Sequence, residues 1–250
     1  MNRKGFLGIA VAVLTIVCGQ LAADPSLVLY LSMDRVEDGY IIDLSGYSQK
    51  VKLPCPEALA EGKSGQALNT GKGYFLTVPY SQHLKLPPGC GLTIAVWVRL
   101  EADGVRWAGL VKNDGGKSTA YQEFKGFNFG TNGSSSPVPL SEAAWRFTVK
   151  GQGSETALAG PLGQLLKKGS WVHLVAVYDP SPQVRGLMIY VDGRLVEDYI
   201  MIDLPMEINN EADWIIGKDL TCFPGLVDEV KIYRRALSSQ EVEEVFQGRR

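Results

Sequence analysis

Alternation with a period of two recurs along this chain, in runs of strand length broken by Gly, Pro, Asn and Asp. That pattern excludes most helical folds. Residues 92–100 show it best. Leu92, Ile94, Val96, Val98 and Leu100 share one face, and Thr93, Ala95, Trp97 and Arg99 share the other, because successive side chains of a strand point to opposite faces. Residues 27–33 repeat the pattern with Leu27, Leu29, Leu31 and Met33. Residues 171–178 and 187–191 are rich in β-branched and aromatic side chains, which favour strands. Shorter candidates are 74–78, 108–112, 126–129, 146–150 and 214–216. Asp192-Gly193 is a hairpin signal before Arg194-Leu-Val-Glu197. Many short strands with almost no helix predict a two-sheet sandwich or a barrel. Residues 113–169 are rich in Gly and Ser and are expected to be irregular, with long loops, where binding residues concentrate.

The closing stretch adds two features. In residues 226–233 the alternation predicts Leu226, Asp228, Val230 and Ile232 on the core face. A carboxylate there has to be hydrogen-bonded or bind a cation, because an unpaired buried charge is too costly. Ser238 and Glu241 then form a capping box, which predicts a short helix over residues 238–246.

The first residues read as a targeting segment. Arg3 and Lys4 precede an apolar run over residues 5–17. That run is shorter than the roughly 20 residues a membrane-spanning helix needs. Cleavage after Ala23 is expected, with a lipoprotein at Cys18 or an uncleaved anchor as alternatives. The expected organisation is therefore a signal peptide at 1–23 and one domain at 24–250, in a secreted or periplasmic protein. Without Arg3 and Lys4, the 27 acidic residues outnumber the basic ones and the net charge is −4. No basic patch points to nucleic acid, and no second apolar stretch approaches membrane length. Cys55, Cys90 and Cys222 remain after cleavage, and an exported chain favours one disulfide among them, with the pairing open. Without CxxC spacing, and with only two histidines, they do not suggest a zinc site.

Several segments together match one pattern. Val28-Leu-Tyr-Leu-Ser-Met-Asp34, Asp43-Leu-Ser-Gly46, Leu92-Thr-Ile-Ala-Val-Trp-Val-Arg99, Gly169-Ser-Trp-Val-His-Leu-Val-Ala-Val-Tyr-Asp179, Ile189-Tyr-Val-Asp-Gly193 and Gly225-Leu-Val-Asp-Glu-Val-Lys-Ile-Tyr233 follow in the family's order and spacing. The chain resembles the laminin G-like, concanavalin A-like jelly-roll domains. The resemblance runs from about Leu27 to Phe246, and residues 113–142 depart from it as an insertion. It implies an all-β, two-sheet antiparallel jelly-roll sandwich with a short C-terminal helix.

The resemblance also implies candidate functions. Related domains bind Ca²⁺, which takes six to eight oxygen ligands. Asp34, Asp43 and Asp228 occupy the family's acidic positions and are the metal candidates, with calcium as a structural cofactor. Lectin-type sites stack aromatic rings on sugars. Trp97 and Trp171 match framework positions, which leaves the loop aromatics Trp107 and Tyr121 as ligand-binding candidates. Related glycoside hydrolases set two Glu and an Asp along one strand. Glu101-Ala-Asp103 is the nearest match here and lacks the last carboxylate. His173 reads as a structural histidine of its strand. The expected function is thus non-catalytic recognition of a carbohydrate or glycoprotein. The alternatives are a protein-interaction module without a sugar site, or a divergent glycan hydrolase or lyase.

Overall fold

The structure, a computed structural model, describes residues 24–103, 105–113, 125–133, 136–151, 154–184, 186–201, 208 and 211–250. The expected leader and Tyr121 lie outside these residues.

The strands in chain order begin with β1 (Leu27–Leu31), β2 (Val36–Glu37), β3 (Tyr40–Ile42), β4 (Lys50–Lys52), β5 (Leu59–Glu61) and β6 (Gln66–Asn69). Next come β7 (Leu76–Val78), β8 (Leu92–Leu100), β9 (Ala108–Asn113), β10 (Gly126–Thr131), β11 (Trp145–Lys150) and β12 (Ser154–Ala159). The last are β13 (Trp171–Asp179), β14 (Gly186–Val191), β15 (Arg194–Ile200), β16 (Trp214–Ile216), β17 (Thr221–Cys222) and β18 (Gly225–Tyr233). Helix α1 spans Leu162–Leu165 and α2 spans Ser239–Phe246.

Two large sheets result. One runs β15-β14-β13-β8-β18-β6-β5, with β1 also paired to β18. The other runs β12-β11-β10-β9-β16-β7, with β17 added parallel to β9. A small third sheet joins β2, β3 and β4. The alternation explains the layering. Leu92, Ile94, Val96, Val98 and Leu100 of the larger sheet and Phe127, Phe129, Trp145, Phe147 and Val149 of the smaller one join a single buried core. Removing each such side chain from water contributes about 1.5–3 kcal/mol. This is the antiparallel sandwich the sequence predicts. Residues 113–169 prove more regular than expected, because β10, β11 and β12 lie there.

Strand β18 departs from simple alternation. Asp228 pairs with Trp97 and Lys231 with Ala95, so β18 spends one extra residue between those pairs. Glu229, at a φ of +50°, marks this bulge. A bulge reverses the in-out parity of the residues beyond it. Val227, Val230 and Ile232 therefore enter the core, while Asp228, Lys231 and Tyr233 share the outer face with Trp97 and Ala95. The expectation that Asp228 lies on the core face is thereby corrected.

Helix α2 covers the outer face of the larger sheet. Val242 and Val245 pack on Ala95, Val175, Val177, Tyr190 and Tyr233. Its start is the predicted capping box: Ser238 Oγ accepts from the Glu241 N–H, and the Glu241 carboxylate accepts from the Ser238 N–H. Phe246 closes over His173 and Trp97, with ring centroids 5.7 and 5.8 Å away. His173 is 2% exposed, and its Nδ1 has no hydrogen-bond partner among the described residues. Burial, helped by the Lys231 cation, pushes its pKa down to about 3. The unfolded imidazole titrates near 6.5, so between these values the unfolded chain binds more protons. This contribution to stability is present above pH 6.5 and is lost as pH falls towards 3. His173→Gln is expected to remove that acid sensitivity, as read from urea unfolding at a series of pH values.

Cys55, Cys90 and Cys222 are free thiols, so the expected disulfide is not formed in this structure. Cys90 donates to the Gly91 and Arg234 carbonyls, and Cys222 to the Gly73 carbonyl, in separate surroundings.

Candidate binding face of the smaller sheet

The candidate residues fall into two groups. Asp34 and Asp228 brace one hairpin turn, residues 62–65 between β5 and β6. Asp228 Oδ2 accepts from the Lys63 and Ser64 N–H groups at 2.8 and 3.3 Å, and its Oδ1 from the Glu229 N–H at 2.7 Å. Asp34 Oδ1 accepts from the Gln66 N–H at 2.6 Å. Asp43 closes a different turn. It accepts from the backbone of Tyr30, Ser45 and Gln49 and from the Ser45 hydroxyl. These bonds satisfy carboxylates as buried polar groups require. Among the described residues, no three His, Cys, Asp or Glu side chains gather as a metal-binding group. The three aspartates therefore do not fit as one calcium site. The melting temperature of the domain is expected to be the same in excess Ca²⁺ and in excess chelator. A shift of several degrees would instead show a cation bound to the folded state.

The other group lies on the outer face of the smaller sheet. Phe147 and Val149 of β11 point into the core, so Arg146, Thr148 and Lys150 point away from it. Register extends this face across six strands. Thr77 pairs with Ile215, Ile215 with Lys112, Lys112 with Asn128, Asn128 with Thr148, and Thr148 with Thr156. The middle of this row is sheltered: Asn128 is 4% exposed, and Lys112 and Thr148 are 6%. Its ends open to solvent, with Thr156 and Ile215 half-buried and Thr77 exposed.

Asp219 reaches this face from the loop before β17. Its carboxylate lies 3.3 Å from Lys112 Nζ and 3.0 Å from Arg146 Nη2. Trp107, half-buried, lies over Arg146, with the guanidinium carbon 4.8 Å from its ring centroid, a cation–π contact. Trp107 thus lies beside this face. Tyr121 lies outside the described residues. Local sequence patterns do not single out Lys112, Asn128, Arg146, Thr148, Lys150 or Asp219. A signal is present in Arg146-Phe-Thr-Val-Lys150, whose polar half is itself a continuous face.

The row has the chemistry of a hydrogen-bonding surface. Among the described residues, Asn128 Oδ1 is buried without a hydrogen-bond partner, and amide, hydroxyl and ammonium groups are what a polyhydroxylated ligand pairs with. None of its six members is a carboxylate.

Comparison with known proteins agrees with this architecture. Residues 69–243 match the Laminin_G_3 family, described as the concanavalin A-like lectin/glucanases superfamily. The chain belongs to this family. No curated protein sequence matches it. Among solved structures, it is similar to the binding domain of Paraclostridial Mosquitocidal Protein 1, at 18% identity and a TM-score of 0.63, covering 90% of this chain and 52% of that one. It is also similar to domain 4 of AbnA, a GH43 extracellular arabinanase from Geobacillus stearothermophilus, in complex with arabinotriose. There the identity is 16% and the TM-score 0.61, over 89% of this chain and 98% of that one. A third is the ligand-binding domain of botulinum neurotoxin serotype D in complex with N-acetylneuraminic acid, at 12% identity and a TM-score of 0.63, covering 90% and 51%. The chain spans about half the length of the two toxin domains. Such identities establish a shared fold. Among the described residues, no helix is long and apolar enough to cross a membrane.

Proposed function

We propose that this chain is an exported, non-catalytic glycan-binding module and that its ligand lies on the outer face of the smaller sheet. The observation that carries this reading is the row Thr77–Ile215–Lys112–Asn128–Thr148–Thr156, five polar residues and Ile215 on the side of the sheet away from the core. Neighbouring Arg146 and Trp107 add a cation and an aromatic ring. Structures sharing the fold carry arabinotriose and N-acetylneuraminic acid, which supports a sugar over another ligand class. A catalytic reading is less well supported. Glycoside hydrolysis uses two carboxylates flanking the bond, whereas the row has none and Asp219 is engaged by Lys112 and Arg146. The apolar leader supports export.

The test is a glycan panel probed with residues 24–250, followed by titration of the best binder. Asn128→Ala and Arg146→Ala are expected to weaken binding at least tenfold, about 1.4 kcal/mol each. Variants that melt like the parent and bind equally well would overturn this placement. A parent that binds no glycan would overturn the function.

A further inference from the structure

The row does not end at the edge of its sheet. Leu76 and Val78 of β7 are core residues, so Phe75 and Thr77 face outward with Lys112 and Asn128. At this end lies an open cleft of about 340 Å³, lined by Lys52, Pro54, Gly73, Tyr74, Phe75 and Thr77. That volume is in the range of small-ligand sites. Phe75 is half-buried and belongs to neither core cluster. Lys218 lies over it, with Nζ 4.3 Å from the ring centroid. Gly73, at a φ of +88°, has open space where a Cβ would stand. The cleft is therefore walled by an aromatic ring, with Lys52 in its lining and Lys218 over that ring, and none of its lining residues is acidic.

One loop joins this cleft to the sheltered row. Lys218 and Asp219 are consecutive: the first covers Phe75, and the second binds Lys112 and Arg146. Thr77 belongs to both, lining the cleft and ending the row.

Resting on the glycan-binding reading, we infer that this cleft is a subsite for a sugar residue bearing a carboxylate. The pyranose ring packs on Phe75, Thr77 donates or accepts a hydroxyl bond, and Lys52 and Lys218 face the carboxylate. Aromatic faces take the apolar side of a sugar ring, and a lysine ammonium supplies three donors to a carboxylate. The ligand chain then runs from this open end towards Asn128.

The experiment titrates the parent, Phe75→Ala and Lys52→Gln with sialylated, uronate-containing and neutral oligosaccharides, and with carboxyl-reduced forms of the acidic ones. Both variants replace residues outside the core clusters, and melting curves verify their folding. The parent is expected to prefer the acidic forms over the reduced ones. Phe75→Ala is expected to weaken binding of both forms about tenfold. Lys52→Gln is expected to weaken only the acidic forms. If the parent binds neutral and acidic sugars alike, or both variants match it on acidic sugars, the subsite inference falls and the glycan-binding reading stands. If the parent binds nothing in the panel, both fall.

Discussion

Asp228→Ala is expected to lower the unfolding free energy by about 3–5 kcal/mol. The carboxylate is fully buried and accepts three backbone N–H groups, from Lys63, Ser64 and Glu229. Removing it strands those donors, and each unsatisfied buried group costs about 1–3 kcal/mol. The loss falls on the bulge of β18 and the turn it holds, so β6 and the larger sheet weaken together. Urea unfolding measures it, and a loss below about 1 kcal/mol would show that water replaces the carboxylate. The pH dependence has a definite sign. Burial pushes the Asp228 pKa up to about 7, against the three N–H donors, with nearby Glu229 also raising it. The unfolded value is near 3.9. The folded chain thus holds the proton more tightly, and this contribution to stability is present below about pH 4 and is lost as pH rises towards 7. His173 works in the opposite direction between about 6.5 and 3. The two offset each other where their windows overlap, so Asp228→Ala is expected to expose a steeper acid loss than the parent shows.

Gly109→Ala is expected to destabilise the chain by about 1–3 kcal/mol and to weaken ligand binding with it. Gly109 lies on β9 directly beneath the loop that carries Lys218 and Asp219. A Cβ there would stand 2.3–2.5 Å from the Lys218 carbonyl group and the Asp219 nitrogen. These are backbone atoms, so the loop has to move, and overpacking of this kind typically costs that much. Displacing the loop separates Asp219 from Lys112 and Arg146 and lifts Lys218 from Phe75. Melting and glycan titration are read together. Binding retained at parent affinity would show that the loop is not part of the ligand site.

Much of the fold is legible because strand alternation is local. Residues 92–100 and 214–216 form strands with those bounds, and 171–178, 187–191 and 226–233 differ by a residue. The capping box at Ser238 starts α2 as its four residues predict. Asp192-Gly193 closes the β14–β15 hairpin with both residues at positive φ. The register of β18 was not legible in the same way. One bulge residue, Glu229, moved Asp228 to the outer face, and nothing in an alternating run announces where a bulge falls. The site was less legible still. Trp107 was identifiable as a loop aromatic, but its partner Arg146 comes from a distant strand, β11. Lys112, Asn128 and Thr148 become neighbours only through pairing of β9, β10 and β11.

The sequence by itself determined the class of fold, the core residues of the main strands and the capped final helix, since each depends on spacing within a few residues. The tertiary structure alone decided that Asp228 serves the distant turn at residues 62–65. It alone also decided that polar residues of five strands form one face. Those outcomes depend on register between segments far apart in the chain, which local spacing does not encode.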